Sequence, residues 1–187
     1  MSTAPSPQQS KPARIIMVMG VSSSGKSTVG QSIARRLHAP FLDGDAYHPQ
    51  SNVDKMSAGT PLTDEDRWPW LERHAQVLRE AAERKGVAVG ASSALKRSYR
   101  DYLTEQAGEP ILFVYLDGSR EVIGERMAKR NHEFMPTSLL DSQFATLEIP
   151  DPATENVLPV PVTDSVDKIT ATVVKALDHL KSFKRWQ

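Results

Sequence analysis

Short apolar runs alternate with amphipathic segments along this chain. Five runs are brief or rich in β-branched residues: Ile15–Met19, Phe41–Leu42, Val87–Ala91, Ile111–Leu116 and a proline-interrupted Val157–Val162. Their length and composition suit strands better than buried helices. Between them, apolar residues recur at helical spacing: Val29, Ile33 and Leu37; Leu71, Ala75, Leu78 and Ala82; Val122, Ile123 and Met127; Leu140, Phe144 and Leu147; and Val166, Ile169, Val173, Leu177 and Leu180. Each stripe gives a helix one face to lay on a sheet, with Asp164 or Ser165 capping the last. The alternation predicts an α/β fold, a five-stranded parallel sheet flanked by helices on both faces.

Composition narrows what such a fold can do. At 187 residues the chain has the size of one domain, expected over residues 14–187. Residues 1–13, rich in Ser, Pro and Gln at their start, read as a disordered leader. Lys plus Arg and Asp plus Glu stand at 23 each, so no basic field points to nucleic acid, and a small molecule is the expected partner. No stretch approaches the roughly 20 apolar residues of a membrane span. The absence of cysteine excludes a disulfide framework, a thiolate zinc site and a cysteine nucleophile, and fits a cytoplasmic protein.

The first candidate chemistry follows the first strand. Gly20-Val21-Ser22-Ser23-Ser24-Gly25-Lys26-Ser27 is a G-x-x-x-x-G-K-S run that opens a helix, with Thr28 next. Its glycines let backbone N–H groups turn around phosphate oxygens, Lys26 reaches β/γ-phosphates, and the Ser27 hydroxyl suits Mg²⁺. The run predicts binding of ATP with Mg²⁺. Asp43-Gly44-Asp45 ends the second strand, at the sheet edge where ligands of α/β folds sit. There Asp43 can hold the metal through a water while Asp45 accepts the proton of an attacking hydroxyl. His48 follows close enough to line the same site. The other histidines, at 38, 74, 132 and 179, show no metal-ligand spacing and read as surface residues.

Two further clusters suit an acidic acceptor. Arg67 lies in Asp64-Glu65-Asp66-Arg67-Trp68-Pro69-Trp70-Leu71 at a helix entrance, where a guanidinium can clamp a carboxylate. Ser93, Lys96, Arg97 and Arg100 follow the third strand, and at least one of these cations points at ligand. Arg126 and Arg130 lie one helical turn apart after Arg120, and a lid around residues 120–137 would let them stabilise a transferring phosphoryl group.

The phosphate loop, Phe41-Leu42-Asp43-Gly44-Asp45, Ser93-Ala94-Leu95-Lys96-Arg97-Ser98-Tyr99-Arg100-Asp101 and Ser138-Leu139-Leu140-Asp141-Ser142-Gln143-Phe144-Ala145-Thr146-Leu147-Glu148 together resemble the thermoresistant-type gluconokinase family. The last two blocks are not general kinase motifs, and the likeness covers roughly residues 14–182. The resemblance implies a P-loop fold similar to shikimate and nucleoside monophosphate kinases, ATP-dependent phosphorylation of D-gluconate, Mg²⁺ dependence and a homodimer. It assigns Lys26 and Ser27 to triphosphate and metal, Asp45 to the substrate hydroxyl, Arg67 and the Lys96-Arg97 region to the sugar acid, and Arg126 and Arg130 to the lid. Ser92 stands where many relatives carry cysteine, and His132-Glu133-Phe134 where some have Gly-His-Phe. The alternatives are a related kinase acting on shikimate or a nucleotide, or a non-catalytic ATP-binding regulatory module.

Overall fold

A computed structural model of the chain describes residues 14–130 and 137–183. The expected leader, the 131–136 portion of the expected lid with His132, and the side chain of Leu180 lie outside the described residues. Five parallel strands, β1 (Arg14–Met19), β2 (Phe41–Asp43), β3 (Val87–Ala91), β4 (Ile111–Asp117) and β5 (Val157–Pro161), form one sheet in the order β2-β3-β1-β4-β5. Central β1 pairs with β3 from Arg14↔Val87 to Val18↔Ala91 and with β4 from Ile15↔Ile111 to Met19↔Tyr115.

The twofold alternation of β1 explains two hydrophobic layers. Ile16 and Val18 face a core with Val29 and Ile33 of α1 (Lys26–Leu37), Ile123 and Met127 of α5 (Arg120–Arg130), Leu140 of α6 (Thr137–Thr146), and Ile169, Val173 and Leu177 of α7 (Val166–Phe183). Ile15, Met17 and Met19 face the other core, against Leu71, Ala75 and Leu78 of α3 (Asp64–Lys85) and Tyr99 and Leu103 of α4 (Arg97–Ala107). The five expected strands and, Leu180 aside, the expected stripes therefore form, with boundaries moved by a residue or two.

Two helices lack a legible stripe: α2 (Gln50–Ser57), whose one fully buried residue is Asn52, and α4. In α3, Thr63 and Asp66 form a reciprocal capping box. Pro69 sits at the sixth position, deeper than the first turn, so the Glu65 carbonyl loses its usual helical donor. Ser165 caps α7 through the Lys168 N–H at 3.2 Å, while Asp164 pairs with the Lys168 ammonium at 2.8 Å. His74 corrects its expected surface placement. It is fully buried, stacked on Tyr47 and bonded through Nε2 to the Leu42 carbonyl at 2.9 Å. Burial pushes its imidazole pKa down, which keeps the ring neutral at physiological pH. This packing leaves no room at Gly44, where a Cβ would sit 2.8 Å from the Ala91 carbonyl oxygen and 3.0 Å from the His74 ring. That close approach fixes the Asp-Gly-Asp turn against β3.

Candidate active site

The phosphate loop joins β1 to α1 with left-handed backbone at Ser23 (φ 63°) and Gly25 (φ 97°), alternation that turns successive N–H groups to one side. A Cβ at Gly25 would meet nothing within 4 Å, so the loop opens on free space. One cavity collects Ser22, Ser23, Gly25, Lys26, Ser27 and Thr28 with Asp43, Asp45, Ser92, Ser93 and Arg130. Residues from β2, the β3–α4 loop and the end of α5 thus meet at the mouth of the loop. Gly20, Val21 and Ser24 shape it from behind: Val21 and Ser24 are buried, and the Gly20 N–H donates to the Ser93 carbonyl at 3.3 Å.

Lys26 as a whole is half-buried, but its ammonium end is enclosed and donates to the Val21 carbonyl at 3.0 Å. Loss of water lowers its pKa against the opposing pull of Asp45 and Asp43. The Ser27 hydroxyl donates to Asp43 Oδ2 at 2.7 Å, and Asp43 Oδ1 accepts the Asp45 N–H at 3.1 Å. Asp43 therefore caps the single 3-10 turn Gly44–Tyr47 that carries Asp45. A hydroxyl and a carboxylate oxygen in contact beside a phosphate cradle are the hard donors Mg²⁺ takes when phosphates and waters complete its shell. Among the described residues no group of three or more His, Asp or Glu side chains forms a separate metal cage.

A second cluster is built from the start of α3 and the residues around the start of α4. The Asp64 carboxylate accepts from Lys96 Nζ at 3.2 and 3.1 Å and from the Tyr99 hydroxyl, and lies 3.7 Å from Arg67. Arg67 Nη1 also donates to the Leu62 carbonyl at 2.9 Å and to Tyr99 Oη at 3.2 Å. Both cations lie near the Tyr99 ring, at 5.5 Å for Arg67 and 5.4 Å for Lys96. Hydrogen bonds from Tyr99 and Lys96 hold the Asp64 carboxyl below its ordinary value, so it stays ionised. His48 stacks on Trp70 at 4.0 Å and meets Asn52 Nδ2 at 3.3 Å. Burial lowers its pKa. Trp70 donates to the Gly44 carbonyl at 2.7 Å, tying His48 to the Asp45 turn.

Two expected cations point elsewhere. Arg97 reaches Thr154, through Oγ1 at 3.2 Å and the carbonyl at 3.5 Å, and pairs with Asp101 at 3.8 Å. Arg126 donates to the Val162 carbonyl in the turn after β5, so it and Arg130 part ways although they share a helix face. Arg100 is buried in an ion pair with Glu155 at 2.6 Å, leaving Lys96 as the cation of the 96–100 run that joins Asp64 and Arg67.

With this geometry in place, comparisons with known proteins decide the family. The family described as an AAA domain matches residues 15–150. A gluconokinase of Gluconobacter oxydans is 50% identical over 73% of this chain and 76% of its own. The thermoresistant gluconokinase of Escherichia coli is 42% identical over 87% of this chain and 93% of its own. A solved gluconokinase from Sinorhizobium meliloti superposes with a TM-score of 0.81 at 45% identity, over 95% of this chain and 98% of that one. The chain belongs to the gluconokinase family. A shikimate kinase from Aquifex aeolicus, at 17% identity and a TM-score of 0.53, shares the P-loop kinase fold.

Within this gluconokinase-family chain, sequence reasoning passed over several residues that build the site. Asp64 is the hub of the second cluster, although an acid at a helix start is equally suited to complement the helix dipole. The Asp141–Glu148 block, distant in sequence, touches the start of α5, the phosphate loop and the start of α4. Asp141 pairs with Arg120. The Gln143 side chain accepts the Ser22 N–H at 2.6 Å and donates to Ser22 Oγ at 2.7 Å. Glu148 accepts the Arg97 N–H at 2.8 Å, satisfying a donor at the α4 N-terminus that Lys96, its cap residue, leaves open. The unusual block itself was the available signal. Its partners were not readable from spacing.

Proposed function

We propose that this chain transfers the γ-phosphoryl group of ATP to the 6-hydroxyl of D-gluconate, giving 6-phospho-D-gluconate and ADP. The observation that carries the reading is that Trp70, on the helix bearing Arg67, ties the Asp45 turn beside the phosphate loop, with His48 within electrostatic reach of both Asp45 and Arg67, to a cluster suited to a singly charged hydroxy acid. Arg67 and Lys96 bring two positive charges and Asp64 one negative, so the cluster keeps a net charge of one to match one carboxylate. The paired carboxylate and the Tyr99 hydroxyl offer hydrogen-bonding partners to a polyol chain. The gluconokinase relatives, one of them 50% identical, support the same acceptor.

In this mechanism the loop N–H groups from Ser23 to Thr28 and the Lys26 ammonium hold the phosphates. Ser27 and Asp43 would hold Mg²⁺, which would supply positive charge against the triphosphate. Asp45 orients the 6-hydroxyl in line with the γ-phosphorus and takes its proton as the new O–P bond forms and the bond to the β-phosphate oxygen breaks. Arg130 supplies positive charge to the γ-oxygens, and His48 and Ser93 line the acceptor side. Arg126 serves the Val162 turn in this reading, and Arg97 positions the segment around Thr154. Residues 14–187 act as one kinase unit, as a cytoplasmic homodimer in keeping with the family resemblance.

Release of ADP from Mg·ATP with D-gluconate, beside shikimate, AMP and a no-acceptor control, tests the assignment. Selective turnover with gluconate is expected. Turnover with another acceptor alone overturns the substrate, and ATP binding without transfer to any acceptor overturns the kinase.

A further inference from the structure

Gln143 contacts the phosphate loop in a way the transfer reaction as described leaves unexplained. Both ends of its amide are spent on one residue: Oε1 accepts the Ser22 N–H at 2.6 Å and Nε2 donates to Ser22 Oγ at 2.7 Å, across 121 residues of sequence. A paired contact of this kind fixes orientation as well as distance. It also engages the N–H of a loop residue that lies ahead of those assigned to the phosphates.

The helix that carries Gln143 is not free to move alone. Two residues earlier, Asp141 pairs with Arg120 at the start of α5. Leu140 is buried in the same core as Ile123 and Met127 of α5, and its Cδ2 lies 3.8 Å from where a Gly124 Cβ would stand. Helices α5 and α6 are therefore one packed unit, and the last residue of α5 is Arg130, which lines the phosphate cavity together with Ser22. The unit grips the loop through Gln143 and presents Arg130 to the same cavity. A long arginine at a helix end gains its aim from the register of that helix, and interiors packed this way shift as units instead of deforming.

We propose that Gln143 is a positioning residue for phosphoryl transfer: it sets the register of the α5–α6 pair on the phosphate loop and so holds Arg130 toward the transferring group. The proposal rests on the phosphotransferase reading above. It assigns no contact with substrate to Gln143 itself.

The test is Gln143→Met, which keeps the length of the side chain and removes both bonds, alone and combined with Arg130→Met. Loss of the paired contact is expected to lower kcat about tenfold, the scale of one to two hydrogen bonds. KM for ATP should stay within about twofold, because the N–H groups assigned to the phosphates are untouched. In the Arg130→Met background the same change should alter kcat less than about twofold, since the group it positions is already gone. Amide hydrogen exchange of Ser22 supplies a readout independent of the acceptor, with exchange expected at least about tenfold faster in Gln143→Met. A tenfold fall in kcat that persists in the Arg130→Met background overturns the proposal, as does a rise in KM for ATP at constant kcat. If the wild type fails to phosphorylate gluconate, the proposed reaction falls while the exchange measurement still decides the contact. Unchanged Ser22 exchange overturns it.

Discussion

Arg100→Met separates the ligand cation that the sequence allows at this position from the structural pin that its buried ion pair makes of it. Arg100 is 2% exposed and its partner Glu155 is 9% exposed. The guanidinium meets the carboxylate as a fork, Nε to Oε2 at 2.6 Å and Nη2 to Oε1 at 3.2 Å. Its remaining donors reach the carbonyls of Ala94 at 2.8 Å, Leu95 at 3.1 Å and Glu148 at 3.1 Å. Burial pushes the Glu155 carboxyl up, but Arg100 and the Asp151 N–H outweigh it, and the net shift is downward. Methionine retains most of the volume and strands this carboxylate with three carbonyls. Removing one partner of a buried ion pair costs about 3–5 kcal/mol, out of a total stability of about 5–15 kcal/mol. At about 2–4 °C per kcal/mol for a chain of this size, the melting temperature should fall roughly 6–20 °C. Glu155→Gln placed in the Arg100→Met background removes the stranded charge and should recover part of the loss. Guanidinium denaturation of the single and double variants, with KM for gluconate measured where all are folded, checks both halves. A wild-type denaturation midpoint together with a KM raised more than about tenfold would refute the reasoning and return Arg100 to the ligand.

Three further outcomes are expected. Lys26→Met should lower turnover about 10²–10³-fold, the scale of losing one preorganised charge-stabilising donor, with an unchanged far-ultraviolet circular dichroism spectrum. Lys96→Met should raise KM for gluconate about tenfold and leave binding of the corresponding uncharged hexitol within about twofold, the discount from a full ion pair reflecting partial exposure; equal effects on both ligands would remove Lys96 from carboxylate recognition. Asp66, held first by Lys55 and then by the Thr63 N–H, has its pKa lowered from 3.8 to about 2. Its folded pKa is depressed, so its contribution is complete above pH 3.8 and lost as pH falls toward 2. Denaturation of Asp66→Asn against wild type should show a stability gap that closes across that acid window.

The phosphate end was legible because it is local. The loop, the strand before it and the helix after it are contiguous, and their chemistry follows from backbone turns within eight residues. The Asp64–Arg67–Lys96 cluster was legible only as residue types, because assigning the cations required helix α4. Its buried positions are Tyr99, Arg100, Leu103 and Ala107, a helical stripe with an arginine standing where an apolar residue would announce it. Without the helix, Lys96, Arg97 and Arg100 are three equivalent cations. With it, they are a cap residue, a first-turn residue and a core residue. His74 was readable and missed: it falls between Leu71 and Leu78 on the α3 stripe, at a position whose period demands burial. Helix α2 carries no apolar stripe at all and offers nothing to find.

Counting donors distinguishes the cations that build the site from those that can serve a ligand. The Arg100 guanidinium directs all three nitrogens at protein oxygens, and any ligand would have to displace a buried carboxylate to reach it. Arg67 directs only Nη1 at hydrogen-bond partners among the described residues, the Leu62 carbonyl and Tyr99, which leaves Nε and Nη2 without one. A guanidinium anchored at one corner and unspent along the opposite edge is preorganised for bidentate capture of a carboxylate, because the fork is already aimed and little rotamer freedom remains to be lost. Lys96 is complementary: its ammonium is a point charge that two Asp64 oxygens keep close to the cluster. In the proposed reaction Arg67 would therefore fix the direction of the acid and Lys96 would add attraction with little direction. On the proposed reaction the acid end would be held in register while Asp45, on the turn locked by Gly44 and Trp70, meets the hydroxyl at the other end.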